Sequence, residues 1–426
     1  MKNTAFDSDQ TLSSKFYYGY IVVGLCFLIM MVSFGLYDSF GVFVKPIINT
    51  FGWSRATTTA AYSLSFLVFG LVGILMGGAT DRFGLQVVLT LCGICLGLGY
   101  ILMSQLQLLW NLYLFYGFFI GVGMSAIYAP VLSQIPKWFN RRCGLMTGLV
   151  LSGTGIGQLL APPIISRLVA HYDWRLTYII LGISIFVIVV ISTQFLRNNT
   201  AQSQPQPEDA PTGACSESTD AISTSATGTK GYSFRDASRT MQFWVLIGYK
   251  FCLGYSMLTI IVHIVPHATD FGIPAINAAN LIASHGAAMV IGSFVLGRVG
   301  DLIGPRQVMI ICFSLSLASL LWLLKAREMW ALYLFCVVFG FANAGNVASD
   351  VPLLARLFGF ESIGSITGVS SCAFAVGVAF GPSFTGYVFD VTGSYQTAFL
   401  ICVIFSALGI VFTALQRPTP RLQIKI

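Results

Sequence analysis

Twelve runs of mostly apolar residues dominate the sequence and limit the folds that are open to it. Each run is about 20 residues long or longer, which is what an α-helix needs to cross the hydrocarbon core of a bilayer. Only 9% of the residues are charged, against about 25% in soluble domains. Because the runs are long rather than short and alternating, they also exclude a porin-like barrel. The sequence therefore predicts an all-α polytopic membrane protein. The predicted helices, numbered 1 to 12 in chain order, are 17–44, 54–78, 85–104, 109–134, 143–168, 174–196, 241–266, 276–299, 306–325, 329–355, 363–388 and 395–415.

The second half of the sequence repeats the first at a constant offset of 220 residues. Two six-helix halves with the same orientation form the parallel repeat of many secondary transporters, in which the substrate site lies between the halves. We therefore predict an N-terminal six-helix bundle at 1–196 and a C-terminal six-helix bundle at 241–426. Pairs that recur at this offset include Pro46 and Pro266, Gly77-x3-Asp81-x2-Gly84 and Gly297-x3-Asp301-x2-Gly304, and Gly157 and Gly377.

A polar segment, 197–240, separates the two predicted bundles. It is rich in Ser, Thr, Gln, Pro and acidic residues and has few large apolar side chains before Tyr232. Such a composition cannot bury a core, so we expect a flexible, solvated cytoplasmic linker loop.

The basic residues are distributed unevenly between the two sides of the predicted membrane protein. With the N-terminus placed inside, 16 basic residues fall in inner segments and 6 in outer segments. Cytoplasmic loops carry an excess of Lys and Arg, so both termini are expected to be cytoplasmic. The net charge of +7 is therefore a topology signal and not a footprint for nucleic acid. The short loops suit a bacterial inner membrane.

The motifs of enzyme chemistry are missing from the sequence. It has no His/Glu metal motif and no nucleophile elbow, and the loop glycines of 77–84 are not followed by the Lys-Ser/Thr of a phosphate-binding loop. We expect a protein that is not an enzyme and holds neither cofactor nor metal. Its partners are then the lipid bilayer and a small-molecule substrate, and we expect a monomer.

The stretch Gly77-Gly78-Ala79-Thr80-Asp81-Arg82-Phe83-Gly84 resembles the loop motif between the second and third helices of the major facilitator superfamily. The stretch 297–306 resembles its second copy, and the likeness extends over essentially the whole chain. The resemblance implies the major facilitator fold. It also implies that Asp81 and Asp301, with Arg82 nearby, latch the cytoplasmic side when the carrier faces outward. A mere tight turn is the alternative role of this motif.

Within that superfamily the chain resembles bacterial relatives of monocarboxylate carriers and oxalate:formate exchangers. Carriers of this group usually have an arginine in helix 8, at the position where this chain has Ser293. The exchangers also place a lysine in helix 11, but the corresponding stretch 367–373 has no basic residue. The stretches that carry the resemblance are Tyr17-Tyr18-Gly19-Tyr20, Phe51-Gly52-Trp53-Ser54-Arg55, Lys137-Trp138-Phe139, Pro162-Pro163, Asp173-Trp174-Arg175 and Phe243-Trp244.

Five ionisable residues lie at bilayer depth, away from the ends of the predicted helices, where a charge is costly and therefore a functional candidate. They are Asp38 in helix 1, Lys250 and His263 in helix 7, His285 in helix 8 and Asp350 in helix 10.

Helix 10 adds a polar stripe, because Asn343, Asn346 and Asp350 fall within an arc of roughly 60°. We predict Lys250, His285, Asn343 and Asn346 as substrate-binding residues. The stripe has a second interpretation, as a hydrogen-bonding seam between helices.

The remaining candidates, Asp38, His263 and Asp350, are predicted to serve coupling or gating. Counting residues along the helices places Lys250 nearer in depth to Asp350 than to Asp38, and Asp38 nearer to His263. A purely structural Lys250–Asp350 ion pair is the alternative to a substrate or coupling charge at Lys250. For His285 the alternatives are a coupling proton and simple helix packing. Arg55 and Arg175 are expected to face the outer water or the lipid headgroups.

These features together predict a secondary active transporter that works by alternating access. The predicted substrate is a small organic anion, similar to a monocarboxylate, that crosses with a proton. An exchanger or exporter of a larger or neutral compound is the first alternative. The second is a non-transporting sensor on a carrier fold, for which the sequence offers no signalling domain.

Overall fold

The computed structural model describes residues 6–132, 134–139, 143–196, 234–358 and 363–416, and these residues are almost entirely helical. Eleven described helices are long and apolar enough to cross a membrane. One of them, within Cys143–Phe195, is broken at Asp173 and forms two spans, so the twelve predicted helices are confirmed. The helices are 1 (Phe6–Asp38, continuing as Phe40–Phe51), 2 (Arg55–Phe83), 3 (Leu85–Met103), 4 (five short segments from Leu109 to Trp138), 5 and 6 (Cys143–Phe195), 7 (Met241–Asp270), 8 (Ala275–Ile303), 9 (Pro305–Leu323), 10 (Met329–Phe358), 11 (Ile363–Thr392) and 12 (Gln396–Leu415).

The described residues with a positive φ angle occur in three pairs, and the members of each pair are 220 residues apart. The repeat of the sequence is therefore also a repeat of the backbone. Glycine adopts this conformation without strain, whereas aspartate does not. The pairs are Gly52 and Gly272 (φ 70° and 81°), Gly84 and Gly304 (φ 83° and 96°), and Asp173 and Gly393 (φ 70° and 68°).

The tight turn after helix 2 follows from Gly84. This residue ends helix 2 and begins helix 3 at once, with φ 83° and ψ 152°. Gly304 has nearly the same angles, φ 96° and ψ 149°, between helices 8 and 9. Both copies of the loop motif thus form the turn that their glycines predict. The side chains of Asp81 and Asp301 lie outside the described part of the structure, and their predicted latching role stays a prediction.

Helix 1 is interrupted near its middle, directly after Asp38. Ser39 has non-helical angles (φ −80°, ψ 1°), and its hydroxyl donates to the carbonyl of Gly35 at 2.6 Å. Irregular backbone at membrane depth persists where protein surrounds it or a cavity lies beside it. The break leaves Asp38 as the last residue of the first segment, inside the bundle.

The two halves of the chain touch along three pairs of helices: 1 with 7, 2 with 11, and 5 with 8. Glycine permits the close approach. A Cβ atom at Gly41 would lie 2.7 Å from the carbonyl oxygen of Val262, and one at Gly386 would lie 2.8 Å from the Cα atom of Ala56. Membrane helices pack through small residues in this way.

We call the end of the bundle that carries residues 51–55, 270–275 and 392–396 the gate end, and the end with Gly84 and Gly304 the motif end. The main hydrophobic core includes side chains of both halves, and its members from the second half, such as Ile261 and Phe399, lie toward the gate end. A second core at the motif end, around Leu246, has described members from the second half alone. The halves are therefore joined most extensively at the gate end.

The segment predicted as a linker begins outside the described residues, which resume at 234. A short helix, Phe234–Ser238, precedes helix 7, and its Ala237 is part of the second core. The end of the predicted linker is therefore anchored on the second half. The division into two bundles and a linker stays a prediction.

Candidate functional site

Lys250 and Asp350 form an ion pair between helices 7 and 10. Lys250 Nζ lies 2.5 Å from Asp350 Oδ2, and both side chains are largely buried, with 8% and 15% exposed. The hydroxyl of Tyr249 donates to the other carboxylate oxygen, Oδ1. Both oxygens of Asp350 are thus engaged, and the pair carries no net charge. The structure brings these two predicted site residues together, as their depths indicate.

The first half of the chain contributes Tyr128, from helix 4, to the surroundings of this pair. Tyr128 lies within electrostatic reach of Asp350, and its ring packs edge-on against Phe34, with 6.1 Å between the ring centroids. Tyr128 of the first half therefore lies near the Lys250–Asp350 pair, across the interface between the halves.

Asn346 is fully buried in helix 10, yet no described residue bonds either atom of its amide. It lies one turn from Asp350 and one turn from Asn343. An unpaired buried amide is costly, and a bound ligand is one reason for a protein to keep it.

Asp38, His285 and Asn343 belong to a hydrogen-bonded chain that crosses from the first half to the second. Gln158, in helix 5, donates from Nε2 to Asp38 Oδ2 at 2.6 Å. Its Oε1 lies 3.1 Å from His285 Nδ1, and His285 Nε2 lies 3.3 Å from Asn343 Nδ2. Tyr62 donates to the second oxygen of Asp38 at 3.3 Å. The polar stripe of helix 10 therefore serves partly as the hydrogen-bonding seam that its second interpretation predicts.

Gln158 was not among the residues that the sequence singled out. An uncharged amide in an apolar helix is a weak signal, and the residue 220 positions later is Val378, so the repeat does not point to it either. What makes Gln158 central is its position between Asp38 and His285, and that depends on how helices 5 and 8 cross.

His263 does not pair with Asp38, which corrects the pairing expected from depth. Its Nδ1 lies 3.2 Å from the hydroxyl of Tyr395, and its Nε2 lies 2.9 Å from the carbonyl oxygen of Pro382. Depth alone does not determine which side of a helix a residue faces, and Asp38 faces helix 5. His263 instead helps to hold the gate end of the second half together.

Arg55 closes the gate end, although the sequence led us to expect it in outer water. Its Nη1 donates to the hydroxyl of Tyr395 at 2.5 Å, and its Nη2 donates to Asp270 at 2.9 Å. The guanidinium lies 3.7 Å from the centroid of the Phe389 ring, and 13% of the side chain is exposed. Lys45 also binds Asp270, at 2.7 Å. All of these contacts join the first half to the second.

Further cross-half hydrogen bonds continue inward from Arg55. The Thr59 hydroxyl donates to the carbonyl of Pro382 at 3.1 Å, and Ser383 donates to Ser63 at 2.8 Å. The contacts between helices 2 and 11 thus extend over about two turns from the gate end.

Two other predicted positions have local partners. Arg175 donates to the carbonyls of Ser104 and Leu106, each at 3.1 Å, so it ties helix 6 to the turn after helix 3 instead of facing only the outside. Arg82 is exposed, with its guanidinium 5.4 Å from the centroid of the adjacent Phe83 ring.

Comparison with known families decides what kind of protein has this architecture. The profile of the Major Facilitator Superfamily matches residues 25–266 and again residues 245–425. The chain belongs to the major facilitator superfamily. This major facilitator is thus an integral membrane transporter and not an enzyme.

Several curated proteins are similar to this major facilitator over most of its length. Monocarboxylate transporter 12 of Rattus norvegicus is 26% identical, over 96% of this chain and 87% of the relative. The uncharacterized MFS-type transporter YcxA of Bacillus subtilis (strain 168) is 25% identical, over 88% of this chain and 89% of the relative. Monocarboxylate transporter 11 of Homo sapiens is 26% identical, over 90% and 80%.

A solved structure supports the fold of this major facilitator. A bacterial homolog of the human lysosomal transporter Spinster, in an inward-facing and occupied conformation, superimposes with a TM-score of 0.73 at 16% identity. The match covers 96% of this chain and 99% of that protein. The resemblance to the superfamily and the fold class predicted from the sequence are confirmed.

Proposed function

We propose that this major facilitator carries a small organic anion, similar to a monocarboxylate, together with a proton by alternating access. The similarity to monocarboxylate transporters 11 and 12 supports the substrate class. The ion pair of Lys250 and Asp350 supports the coupling and is the observation on which the proposal depends.

The pair suggests how a proton and an anion enter together. A substrate carboxylate can bind Lys250 only if the competing carboxylate of Asp350 loses its charge, because two carboxylates in one buried site repel each other. A proton on Asp350 removes that charge. Lys250 then pairs with the substrate, and Tyr249 keeps its hydrogen bond to the neutral acid. One negative charge and one proton have been added, so the site remains neutral as the halves move.

Asn346 supplies the second contact in this proposal. Its buried amide offers both a donor and an acceptor one helical turn from Asp350. A hydroxyl or carbonyl oxygen on the substrate would satisfy it. The proposed substrate is therefore an anion with one further polar group.

Lys250 can also replace the arginine that related carriers have in helix 8 and that this chain lacks. Ser293 donates its hydroxyl to the carbonyl of Met289 in its own helix, at 2.8 Å, and offers no charge to an anion. In the proposed site the cation comes from helix 7 instead.

The proposed orientation puts both termini in the cytoplasm of a bacterial inner membrane and the gate end outside. The contacts of Arg55 with Asp270 and Tyr395 then close the outer side, and the carrier faces inward. Asp81, Arg82 and Asp301 would act at the motif end when that side closes. The working unit is proposed to be a monomer.

Uptake into liposomes of the purified protein tests the proposal. Labelled mono- and dicarboxylates are offered with and without an inward proton gradient. The proposal expects gradient-stimulated uptake of a monocarboxylate that Lys250→Gln abolishes, while Lys325→Gln, at an exposed lysine, leaves it unchanged. Uptake only into liposomes preloaded with a counter-substrate would instead mean an exchanger. No uptake of any carboxylate by folded protein would contradict the proposal.

Because the Lys250–Asp350 pair has no net charge, the site also favours a second function, the export or exchange of a neutral or larger compound. If Asp350 never releases Lys250, the free polar group of the site is Asn346, which suits a neutral or larger compound. Transport that ignores pH and carboxylates would support this exporter or exchanger.

A further inference from the structure

Four buried side chains connect the two halves at mid-bundle: Asp38, Gln158, His285 and Asn343. Their exposed fractions are 6%, 3%, 3% and 1%. Helices 5 and 8 approach backbone to backbone beside them, and a Cβ atom on Gly286 would lie 2.6 Å from the carbonyl oxygen of Gly155 and 2.7 Å from Cβ of Gln158. The glycine crossing therefore holds Gln158 against His285.

The direction of every hydrogen bond in this chain follows from the charge of Asp38. An ionised carboxylate only accepts, so Gln158 must offer it the amide N–H. The amide oxygen of Gln158 then faces His285 and requires a proton on Nδ1. In a neutral ring the other nitrogen, Nε2, is left as an acceptor, and Asn343 satisfies it with an N–H.

Because Tyr62 already donates to Oδ1 of Asp38, a proton is expected on Oδ2, the oxygen that faces Gln158, and a proton there reverses the whole chain. The carboxylic acid becomes a donor, so Gln158 turns its amide to accept from Asp38 and offers N–H to His285 Nδ1. His285 must then carry its proton on Nε2, and Asn343 must present its oxygen. No hydrogen bond is lost. The net change is one proton, bound at Asp38; at His285 one proton leaves Nδ1 to water and one reaches Nε2 from water.

We propose that Gln158 is a positioning residue, through which the protonation state of Asp38 in the first half sets the tautomer of His285 and the orientation of the Asn343 amide in the second half. Asn343 lies one turn from Asn346, so the polar stripe of helix 10 changes its hydrogen-bonding face with the proton. This deepens the proposed function and rests on it for its place in transport. The tautomer itself is independent of the substrate.

The groups around the chain leave Asp38 as the residue that changes charge. The titratable described residues that interact with Asp38 are the phenols of Tyr37, Tyr62 and Tyr100, which stay protonated near neutral pH. The ring of Phe339 faces His285, with 6.0 Å between the centroids.

Nitrogen NMR of the full chain in lipid nanodiscs, with ¹⁵N-labelled histidine, tests the inference. The signals of His285 are assigned by their loss in His285→Gln. In the unmodified protein we expect Nδ1–H at high pH and Nε2–H at low pH. Asp38→Asn, which can donate to Gln158 at every pH, should keep His285 in the Nε2–H form throughout.

Gln158→Met breaks the connection while keeping the length of the side chain. We expect it to make the tautomer of His285 the same with Asp38 and with Asp38→Asn. The matched control is Gln194→Met, at an exposed glutamine of helix 6 that bonds Thr90, and it should leave the switch intact.

Two results would overturn the inference: a His285 tautomer that does not change between high and low pH in the unmodified protein, or a ring protonated on both nitrogens at low pH. The pH titration needs no variant at Asp38, so a poorly folding Asp38→Asn does not prevent the test. Because the NMR is done without substrate, a failure of carboxylate transport counts against the proposed function and leaves the switch to be judged by the tautomer alone.

Discussion

Asp390, near the end of helix 11, caps the start of helix 2 from the opposite half of the molecule. Its two carboxylate oxygens accept from the backbone N–H groups of Arg55 at 2.9 Å and Ala56 at 2.8 Å. An acidic side chain at a helix N-terminus satisfies free N–H groups and is favoured by the helix dipole. Here the cap and the helix belong to different halves, so the cap must break whenever the gate end opens.

Replacement of the cap should therefore shift the conformational balance. Asp390→Ala removes a capping interaction of about 1 kcal/mol, which corresponds to about fivefold in the population ratio of closed and open gate. Spin labels at the exposed positions Asn49→Cys and Asn277→Cys, in a background without reactive native cysteines, would report the distance across the gate. Glu328→Gln, at an acid whose partner Trp330 belongs to the same half, is the control. An unchanged distance distribution in Asp390→Ala would contradict this role.

The Lys250–Asp350 ion pair, in the proposed substrate site, offers a second prediction, which separates a role in transport from a role in stability. Lys250→Gln or Asp350→Asn alone should lower the thermal unfolding temperature, because each leaves a buried charge unpaired. The double variant Lys250→Met/Asp350→Leu should recover that stability. It should not recover proton-driven uptake, since the cation that would bind the substrate and the carboxylate that would take the proton are both gone. A double variant that transports with normal pH dependence would leave the pair a purely structural role.

Asn346 and Asn343 form a matched pair of asparagines in helix 10. Asn346→Leu should raise the thermal unfolding temperature, because it removes an amide that no described residue satisfies. The same change should weaken uptake of a polar substrate. Asn343→Leu should lower the unfolding temperature instead, because it removes the partner of His285 Nε2. If Asn346→Leu destabilised the protein as much as Asn343→Leu does, the ligand-binding interpretation of Asn346 would fail.

The turn at Asp173 carries a fourth prediction. Its backbone angles, φ 70° and ψ 157°, are favourable for glycine but strained for other residues, at a cost of roughly 1–3 kcal/mol. Asp173→Gly should therefore raise the unfolding temperature, while Gly393→Asp, at the equivalent turn of the second repeat, should lower it. The hydrogen bond from Thr177 to the Asp173 carbonyl does not involve the side chain and should persist. Thermal unfolding followed by tryptophan fluorescence is sufficient; equal effects of the same sign would refute the comparison.

The helices and the repeat could be predicted because each depends on the order of residues along the chain: apolar runs for the helices, and matching residues at a constant offset for the repeat. Long apolar runs specify spans whatever surrounds them. Counting along a helix fixes depth, which placed Lys250 nearer to Asp350 than to Asp38, and the ion pair agrees with that order. The left-handed turn at Asp173 was also within reach, since its repeat partner is Gly393.

The contacts that the sequence did not reveal depend on how each helix is rotated about its axis and on how the two halves meet. Residue spacing along the chain contains neither. Asp38 binds Gln158 of helix 5, a contact that depends on the rotation of helix 1 against helix 5 and that residue spacing does not reveal. Arg55 looked like an outer-surface arginine because its partners Asp270 and Asp390 are more than 200 residues away in the chain. Only the folded arrangement brings them to one place.

The contacts made by Arg55 and Asp390 at the gate end join helix 2 to the second half. Among the described residues, the equivalent contacts are absent where helix 8 meets the first half. At the positions equivalent to Arg55, Asp270 and Asp390, the sequence has Ala275, Thr50 and Ala170. The two repeats thus share their turns but differ in their arrangement of charge. Salt screens such partly exposed ion pairs, so rising ionic strength is expected to weaken the closed gate end where helix 2 meets helix 11 more than where helix 5 meets helix 8. The proposed opening of the gate end would then respond to the surrounding electrolyte without any change at the Lys250–Asp350 pair.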